Sequence, residues 1–335
     1  MRLLYKLALG LSKVMILFLL ASFAQAIIVE ADDCEFIRIA LNDPNVHEVV
    51  IPEGSYTANR PIVVNRSGVS LIGKGRVTIT LADNANSPLL ILGNIETPPA
   101  PISDLRVDNL ILKGNRDNQS MECWGGPCDS DAFSTIRNNG VTIRGVHRAN
   151  ITNIQTIGMR SGGIVTEKVC SELNIDGWIS KDNYFDGFAG YETTNSTFKN
   201  LDLSENMGAG ISIDIRFHGN TFKNVRMHKN MDVGIFMRDS NNNYFIDLKS
   251  YDSGNHAIFL SQVDSDADTV PINNTFENLE VDGAKGDGFH LNDPGVGNRL
   301  INAKFRNVRG RNIFETLAGI IEILPATSRC ELLFR

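Results

Sequence analysis

Past its first 26 residues, this chain of 335 residues has no apolar run long enough to cross a bilayer. It has no linker dividing two compositions, and its apolar residues do not recur three and four apart as on a helix face. Positive charge is not in excess either: the formal net charge of −7 argues against a general nucleic-acid binder. Cysteines number only 5, so at least one is unpaired within a monomer. They are Cys34, Cys123, Cys128, Cys170 and Cys330, and without histidines close by they do not read as a metal site. The turn-rich loop Cys123-Trp124-Gly125-Gly126-Pro127-Cys128 is expected to close on itself as a disulfide, which export would permit.

Repetition is what the chain has instead. From about residue 151 to 302 two phrases recur at intervals close to 24 residues. The first is an aromatic or aliphatic residue with Asn or Asp two later: Ile151/Asn153, Phe198/Asn200, Phe222/Asn224, Phe245/Asp247, Phe276/Asn278, and Ile301 beside Asn302 with Leu300 in register. The second is a small residue followed by an apolar one: Gly163-Ile164, Gly187-Phe188, Gly210-Ile211, Gly234-Ile235, Ala257-Ile258, Gly288-Phe289. Its steps are 24, 23, 24, 23 and 31 residues. A fixed period of this size marks stacked repeats.

Within each period apolar residues alternate, as in Leu201-Asp202-Leu203, Ile211-Ser212-Ile213 and Phe289-His290-Leu291. That is strand periodicity. Strands this short bury nothing alone, but stacked in parallel at about 4.8 Å per rung their inward columns merge into one core. A leucine-rich repeat would need Leu at fixed sites, whereas Phe, Ile, Val, Met and Ala interchange here. Asn153, Asn200, Asn224, Asp247, Asn278 and Asn302 fall at bends, where Asn tolerates left-handed backbone and stacked amides can form ladders. Asn183, Asn206 and Asn230 suggest a second, shorter ladder. The expected fold is all-β: a single-stranded parallel β-helix.

This repeat, with its asparagine bends, resembles the right-handed parallel β-helix of pectate-lyase-like proteins. The lead-in is similar too: Cys34-Glu35-Phe36-Ile37-Arg38-Ile39-Ala40-Leu41, then Val49-Val50-Ile51-Pro52-Glu53-Gly54 and Val69-Ser70-Leu71-Ile72-Gly73-Lys74-Gly75. The resemblance covers residues 32–312 and implies a short N-terminal helix plugging the open end of the barrel. Strings such as Ser161-Gly162-Gly163-Ile164, Tyr191-Glu192-Thr193 and Gly208-Ala209-Gly210-Ile211 look like secreted bacterial β-helix proteins, which implies fold and export but no activity.

Arg2, Lys6 and Lys13 precede the apolar run Val14 to Phe23, and Ala24-Gln25-Ala26 reads as a cleavage site. Residues 1–26 are therefore expected to be a signal peptide, 27–312 the β-helix domain and 313–335 a C-terminal capping tail. The mature protein would be secreted or periplasmic, free of membrane, with its oligomeric state open. Between Asp131 and Lys168, Arg137, Arg144, Arg148, Arg160 and Lys168 outnumber the acids, a basic band suited to an anionic polymer.

Taking the apolar residue of the second phrase as inward, the residue three later points out. This gives the column Glu167, Tyr191, Asp214, Arg238, Ser261, Asn292, and one residue after the inward position gives Val165, Ala189, Ser212, Phe236, Phe259, His290. Acid, phenol, acid and guanidinium then occupy consecutive rungs, with Asp214 and Arg238 close enough to pair and Glu167 roughly 10 Å from Asp214. Two enzyme chemistries fit. In elimination or C5-epimerisation, Arg238 neutralises a uronate carboxylate and Tyr191 takes the α-proton. In glycoside hydrolysis, Glu167 and Asp214, with Glu192 nearby, flank the bond.

The Gly-His-Gly and Arg-x-Lys of polygalacturonases and the Trp-x-Asp-His of pectate lyases are missing, and Asp293-Pro294-Gly295 lacks the His and second Asp of alginate epimerases. No role is therefore carried over by motif. Asp264, Asp266 and Asp268 alternate in the way of a Ca²⁺ loop but lack the Gly and distal Glu of an EF-hand, and no other cofactor is expected. The expectation is a polysaccharide lyase or epimerase on an acidic glycan, with a glycoside hydrolase second and a non-catalytic carbohydrate-binding or adhesin β-helix third. Tyr191, Asp214, Arg238 and Glu167 would be catalytic, and Lys168, Glu192, His290 and Arg160 would bind substrate.

Overall fold

A computed structural model describes residues 25–28, 34–120 and 136–326. Its strands pair in parallel, coil upon coil, into a solenoid. One wall is a 10-stranded sheet that includes Val141–Arg144, Ile164–Glu167, Phe188–Tyr191, Ile211–Asp214, Ile235–Met237, Ile258–Leu260, Phe289–Leu291 and Ile313–Glu315. The other walls form a sheet of 17 strands. The Gly-apolar phrase opens the strands of the first wall: Ile164 faces Phe188, then Ile211, Ile235, Ile258 and Phe289 in strict register. The long 31-residue step keeps that register by looping out residues that include a 3-10 turn, Ala267–Thr269.

The register follows from burial, because a slip of one residue would turn every apolar side chain to water. Ile164, Phe188, Ile211, Ile235, Ile258 and Phe289 are all fully buried. The Phe of the first phrase stacks up the interior, with ring centroids 4.7 Å apart for Phe198–Phe222, 5.2 Å for Phe222–Phe245 and 4.6 Å for Phe245–Phe276. Each such ring contributes about 1.5–3 kcal/mol by burial.

The asparagine bends are left-handed, with φ between 53 and 57 at Asn153, Asn200, Asn224, Asp247, Asn278 and Asn302. Gly177 takes the same bend (φ 73) in the coil that lacks an Asn. The side chains bond rung to rung: Asn224 donates to Asn200 at 2.7 Å and Asn302 to Asn278 at 2.8 Å. The interior ladder Asn183–Asn206–Asn230 is buried and bonded at 2.8 and 2.9 Å. A third ladder runs through Asn220, Asn243, Asn274 and Asn298, also buried. Buried amides satisfied this way cost little, and they fix each coil to the next.

The helix Glu35–Asn42 covers the N-terminal end with Ile37, Ala40 and Leu41. Arg38 goes in with them, its guanidinium donating to the carbonyls of Pro61 and Arg60. At the other end the coil runs on past residue 312: Ile313–Glu315 and Glu322–Leu324 pair with the strands Phe289–Leu291 and Arg299–Ile301 below them. Cys34 and Cys170 are buried. The Cys123–Cys128 pair, Cys330 and residues 1–24 of the expected signal segment lie outside the described residues. Among the described residues no helix is long and apolar enough to cross a membrane.

Candidate functional site

The outer face of the 10-stranded sheet carries the expected column, and one more member. Arg144 lies beside Glu167, and Tyr191 beside Asp214. Glu167 and Arg238 each follow directly on a paired strand residue. The charges close in pairs. Arg144 Nε is 2.6 Å from Glu167 Oε1, out of hydrogen-bond alignment, while the same guanidinium donates to the carbonyl of Ile95 at 2.8 Å and to Thr97 Oγ1 at 3.0 Å. Arg238 holds Asp214 Oδ2 through Nε at 3.0 Å and through Nη2. Tyr191 stands between the two pairs.

Arg144 is only 1% exposed. Glu167 is half-buried, and without it the guanidinium would keep its bonds to Ile95 and Thr97 but lose its counter-charge. Burial pushes the Glu167 carboxyl above its ordinary range, and the attraction of Arg144 and Lys168 does not cancel this. Glu167 thus favours its protonated form more than an exposed glutamate does.

In front of this column is a cleft of about 330 Å³, walled by Arg137, Glu167, Lys168, Phe185, Tyr191 and Glu192, with Gly162, Val165 and Ala189 at its floor. It exists because the column one residue past the inward position is small here. Further along, that column becomes Phe236, Phe259, His290 and Phe314, whose rings stack at 5.7, 5.2 and 4.3 Å and fill the space. Burial, reinforced by the negative charge of Asp186, pushes the Tyr191 phenol up to about 12. Asp186 is itself 4% exposed, its Oδ1 accepting the Ala209 N–H at 2.7 Å, and burial pushes its carboxyl up to about 7 with Asp232 adding to the effect.

The rim of the cleft is strained. Val169, next to Lys168, has φ 65, and Ile215, which lines the cleft, has φ 50. β-Branched residues seldom adopt left-handed backbone, and such strain, about 1–3 kcal/mol each, gathers at functional sites. Both residues occupy the bend that follows a strand of the 10-stranded sheet, one on each side of Tyr191.

Of the residues chosen from sequence, Glu167, Lys168, Tyr191 and Glu192 come together in the cleft wall. Glu192 is held there by an ion pair with Arg216. Asp214 and Arg238 occupy the next two rungs but are closed on each other. Arg160 lies outside the lining, its guanidinium 4.7 Å over the Tyr184 ring. His290 is four rungs from Tyr191, about 19 Å away. The basic band does not exist as one surface. Arg144 is buried behind the cleft, and Arg148 lies past a bend on the other sheet, paired with Asp104 at 2.8 Å. Only Arg137 and Lys168 of the five face the cleft, because the coil turns between them. In the aspartate loop Asp266 caps the 3-10 turn, accepting from the Asp268 N–H at 3.1 Å.

Sequence reasoning placed Arg144 in the basic band and not in the column, and missed Asp186. Arg144 belongs to the coil before the counted ones, where Gly140-Val141 is the same Gly-apolar phrase. Asp186 directly precedes the Gly of its phrase, as Asn139 precedes Gly140, and the two use their side-chain oxygens alike: Asn139 Oδ1 accepts the Gly162 N–H at 3.0 Å.

Residues 191–321 match the family model described as a right-handed β-helix region. The fold is a right-handed parallel β-helix. Solved structures agree over most of its length. The endo-xylogalacturonan hydrolase of Aspergillus tubingensis superposes with TM-score 0.57 at 12% identity, covering 83% of this chain and 85% of that one. The A-module of the mannuronan C-5 epimerase AlgE6 of Azotobacter vinelandii gives 0.51 at 14% identity, over 84% and 91%. The pre-mature gene product 12 of bacteriophage phi29 gives 0.53 at 14%, over 84% of this chain and 48% of that one. Likeness at such identities establishes the β-helix and leaves chemistry to the side chains. No curated protein matches the sequence.

Proposed function

We propose that the protein is exported and acts on an acidic polysaccharide bound in the cleft, cleaving it by hydrolysis with Glu167 as the proton donor. The observation that carries this reading is the pair of carboxyl groups in one cleft wall, one beside a buried guanidinium and the other beside an exposed one. Glu167, half-buried against the buried Arg144, is shifted toward its protonated form by desolvation, while Glu192 is ion-paired with the exposed Arg216. Hydrolysis of a glycosidic bond needs one carboxylic acid to protonate the leaving oxygen and one carboxylate to activate water or attack. Arg137 and Lys168 on the same wall suit the carboxylates of a uronate chain. The relatives of this fold that are described as hydrolases of galacturonan-type polymers are in keeping with such a substrate.

Elimination or epimerisation draws support from those same two cations, yet the division of roles read from the sequence fits less well. A phenol pushed up to about 12 is a poor base near neutral pH, and Arg238 is already engaged by Asp214. Tyr191 suits the donation of a hydrogen bond or proton instead. The test is incubation of the purified protein with uronate-containing polysaccharides, following new reducing ends and, separately, the absorbance of an unsaturated product. Reducing ends lost in Glu167→Gln by about 10²–10⁴-fold, with glycan binding retained, are expected. Unsaturated product would move the assignment to elimination. Saturable binding with neither signal would leave C5-epimerisation, read as a change in the uronate composition of the polymer, or carbohydrate binding without catalysis.

A further inference from the structure

A second cluster lies in the same outer face, four rungs from the cleft. His256 precedes the Ala257-Ile258 phrase, Asp287 precedes Gly288-Phe289, and His290 follows Phe289, so the β-helix register brings three ligand-type side chains together from two coils. Their donor atoms all lie within 4.8 Å of one another. Asp287 Oδ2 is the shared centre, 2.6 Å from His290 Nδ1 and 3.6 Å from His256 Nδ1. Donor atoms on a tetrahedral zinc ion sit roughly 3.3 Å apart, given bonds near 2.0 Å. The two separations bracket that value.

Hydrogen bonds orient the three side chains about this centre. Asp287 Oδ1 accepts the Arg311 N–H at 2.6 Å, which orients the carboxylate. His256 Nδ1 accepts the Asp287 N–H at 2.9 Å, so that nitrogen carries a lone pair and no proton. The walls are apolar: Phe259 stacks on His256 at 5.3 Å, and Phe314 on His290 at 4.3 Å. The three side chains are 14–19% exposed, enough for solvent to complete a coordination shell.

We propose that His256, Asp287 and His290 form a binding site for a divalent transition-metal ion of the zinc class. Two imidazoles and one carboxylate select Zn²⁺, Co²⁺ or Ni²⁺ over Ca²⁺ and Mg²⁺, which take oxygen shells. The Arg311 N–H serves as the outer partner that fixes the ligating carboxylate. Binding at these atoms displaces the Asp287 N–H from His256 Nδ1 and places the His290 ring proton on Nε2, leaving Nδ1 to ligate. This site does not rest on the glycan reading, and its loss would leave the cleft intact.

The test is titration of the chelator-treated full chain with Zn²⁺ by calorimetry and with Co²⁺ by visible absorption. One equivalent is expected, with an absorption band from histidine ligation. Affinity should fall at least tenfold in Asp287→Asn and in His290→Gln, with β-sheet circular dichroism unchanged. His256→Gln gives an independent reading, because its ring is outside the Asp287–His290 hydrogen bond. His228→Gln, which removes a histidine paired with Asp202 on another wall at 3.1 Å, should bind as the parent does. No stoichiometric uptake, or uptake that survives all three site substitutions, overturns the proposal.

Discussion

Replacing Asp186 by Asn should stabilise the protein, and only above a definite pH. The carboxyl is 4% exposed and its pKa stands at about 7 instead of the ordinary 3.8, chiefly through burial. Below pH 3.8 it is protonated in both folded and unfolded chains and contributes nothing to their difference. Between 3.8 and about 7 the unfolded chain ionises it while the folded chain keeps the proton, so folding stability falls by about 1.4 kcal/mol for each pH unit. Above that range the loss is complete, at about 4 kcal/mol as an upper bound. Asn removes the titration and keeps the bond that matters locally, since its amide oxygen can still accept the Ala209 N–H. The chain already uses this solution two coils earlier, where Asn139 Oδ1 accepts the Gly162 N–H at 3.0 Å. Urea unfolding of both proteins at about pH 4 and about pH 8 reads the difference: no gain at the first, a gain of 2–4 kcal/mol at the second. An equal gain at both pH values would refute the electrostatic argument, and so would no gain at pH 8.

Two further substitutions probe the core. Gly190→Ala points a methyl inward at 2.4 and 2.7 Å from ring atoms of Phe217, and overpacking of this kind should cost about 1–3 kcal/mol in urea unfolding. Phe222→Ala removes a ring stacked between Phe198 and Phe245, and a loss of about 3–5 kcal/mol is expected, with a lower melting temperature by circular dichroism.

The fold was legible because its strongest constraint is periodic. Every coil must present an apolar residue to the core at the same register, so Gly163-Ile164 and its copies could be counted and came out paired residue for residue. The same counting placed Glu167, Tyr191, Asp214 and Arg238 in one outward column. It failed where geometry departs from alternation. Asp186 sits in the bend ahead of the strand, buried and accepting the Ala209 N–H, a place that strand parity does not describe. The buried ladder Asn220–Asn243–Asn274–Asn298 stands two residues before the first phrase, where alternation marks neither a bend nor a core position. The basic band failed for a related reason: closeness in sequence is no guide to a shared face when the chain turns within a coil. Ionisation was not legible at all, since the shifts of Glu167, Tyr191 and Asp186 come mainly from burial depth.

The outer face is divided by side-chain size, and that division can be used to locate the ligand. Along one column Val165, Ala189 and Ser212 leave a recess, while Phe236, Phe259, His290 and Phe314 stack into a wall. The rings of this wall lie against each other, and Arg238 covers Phe236 at 5.1 Å, so their faces are engaged by their neighbours. A sugar chain would therefore find its space in the recess, over Ala189. Ala189→Phe places a ring there on an outward position, where the core is undisturbed. Glycan binding should disappear while the unfolding midpoint stays near that of the parent. Phe259→Ala should do the reverse, loosening the wall and lowering stability while glycan affinity is kept. Binding measured by calorimetry on both variants separates the cases: undiminished affinity in Ala189→Phe would remove the ligand from the cleft, and with it the role given to Glu167.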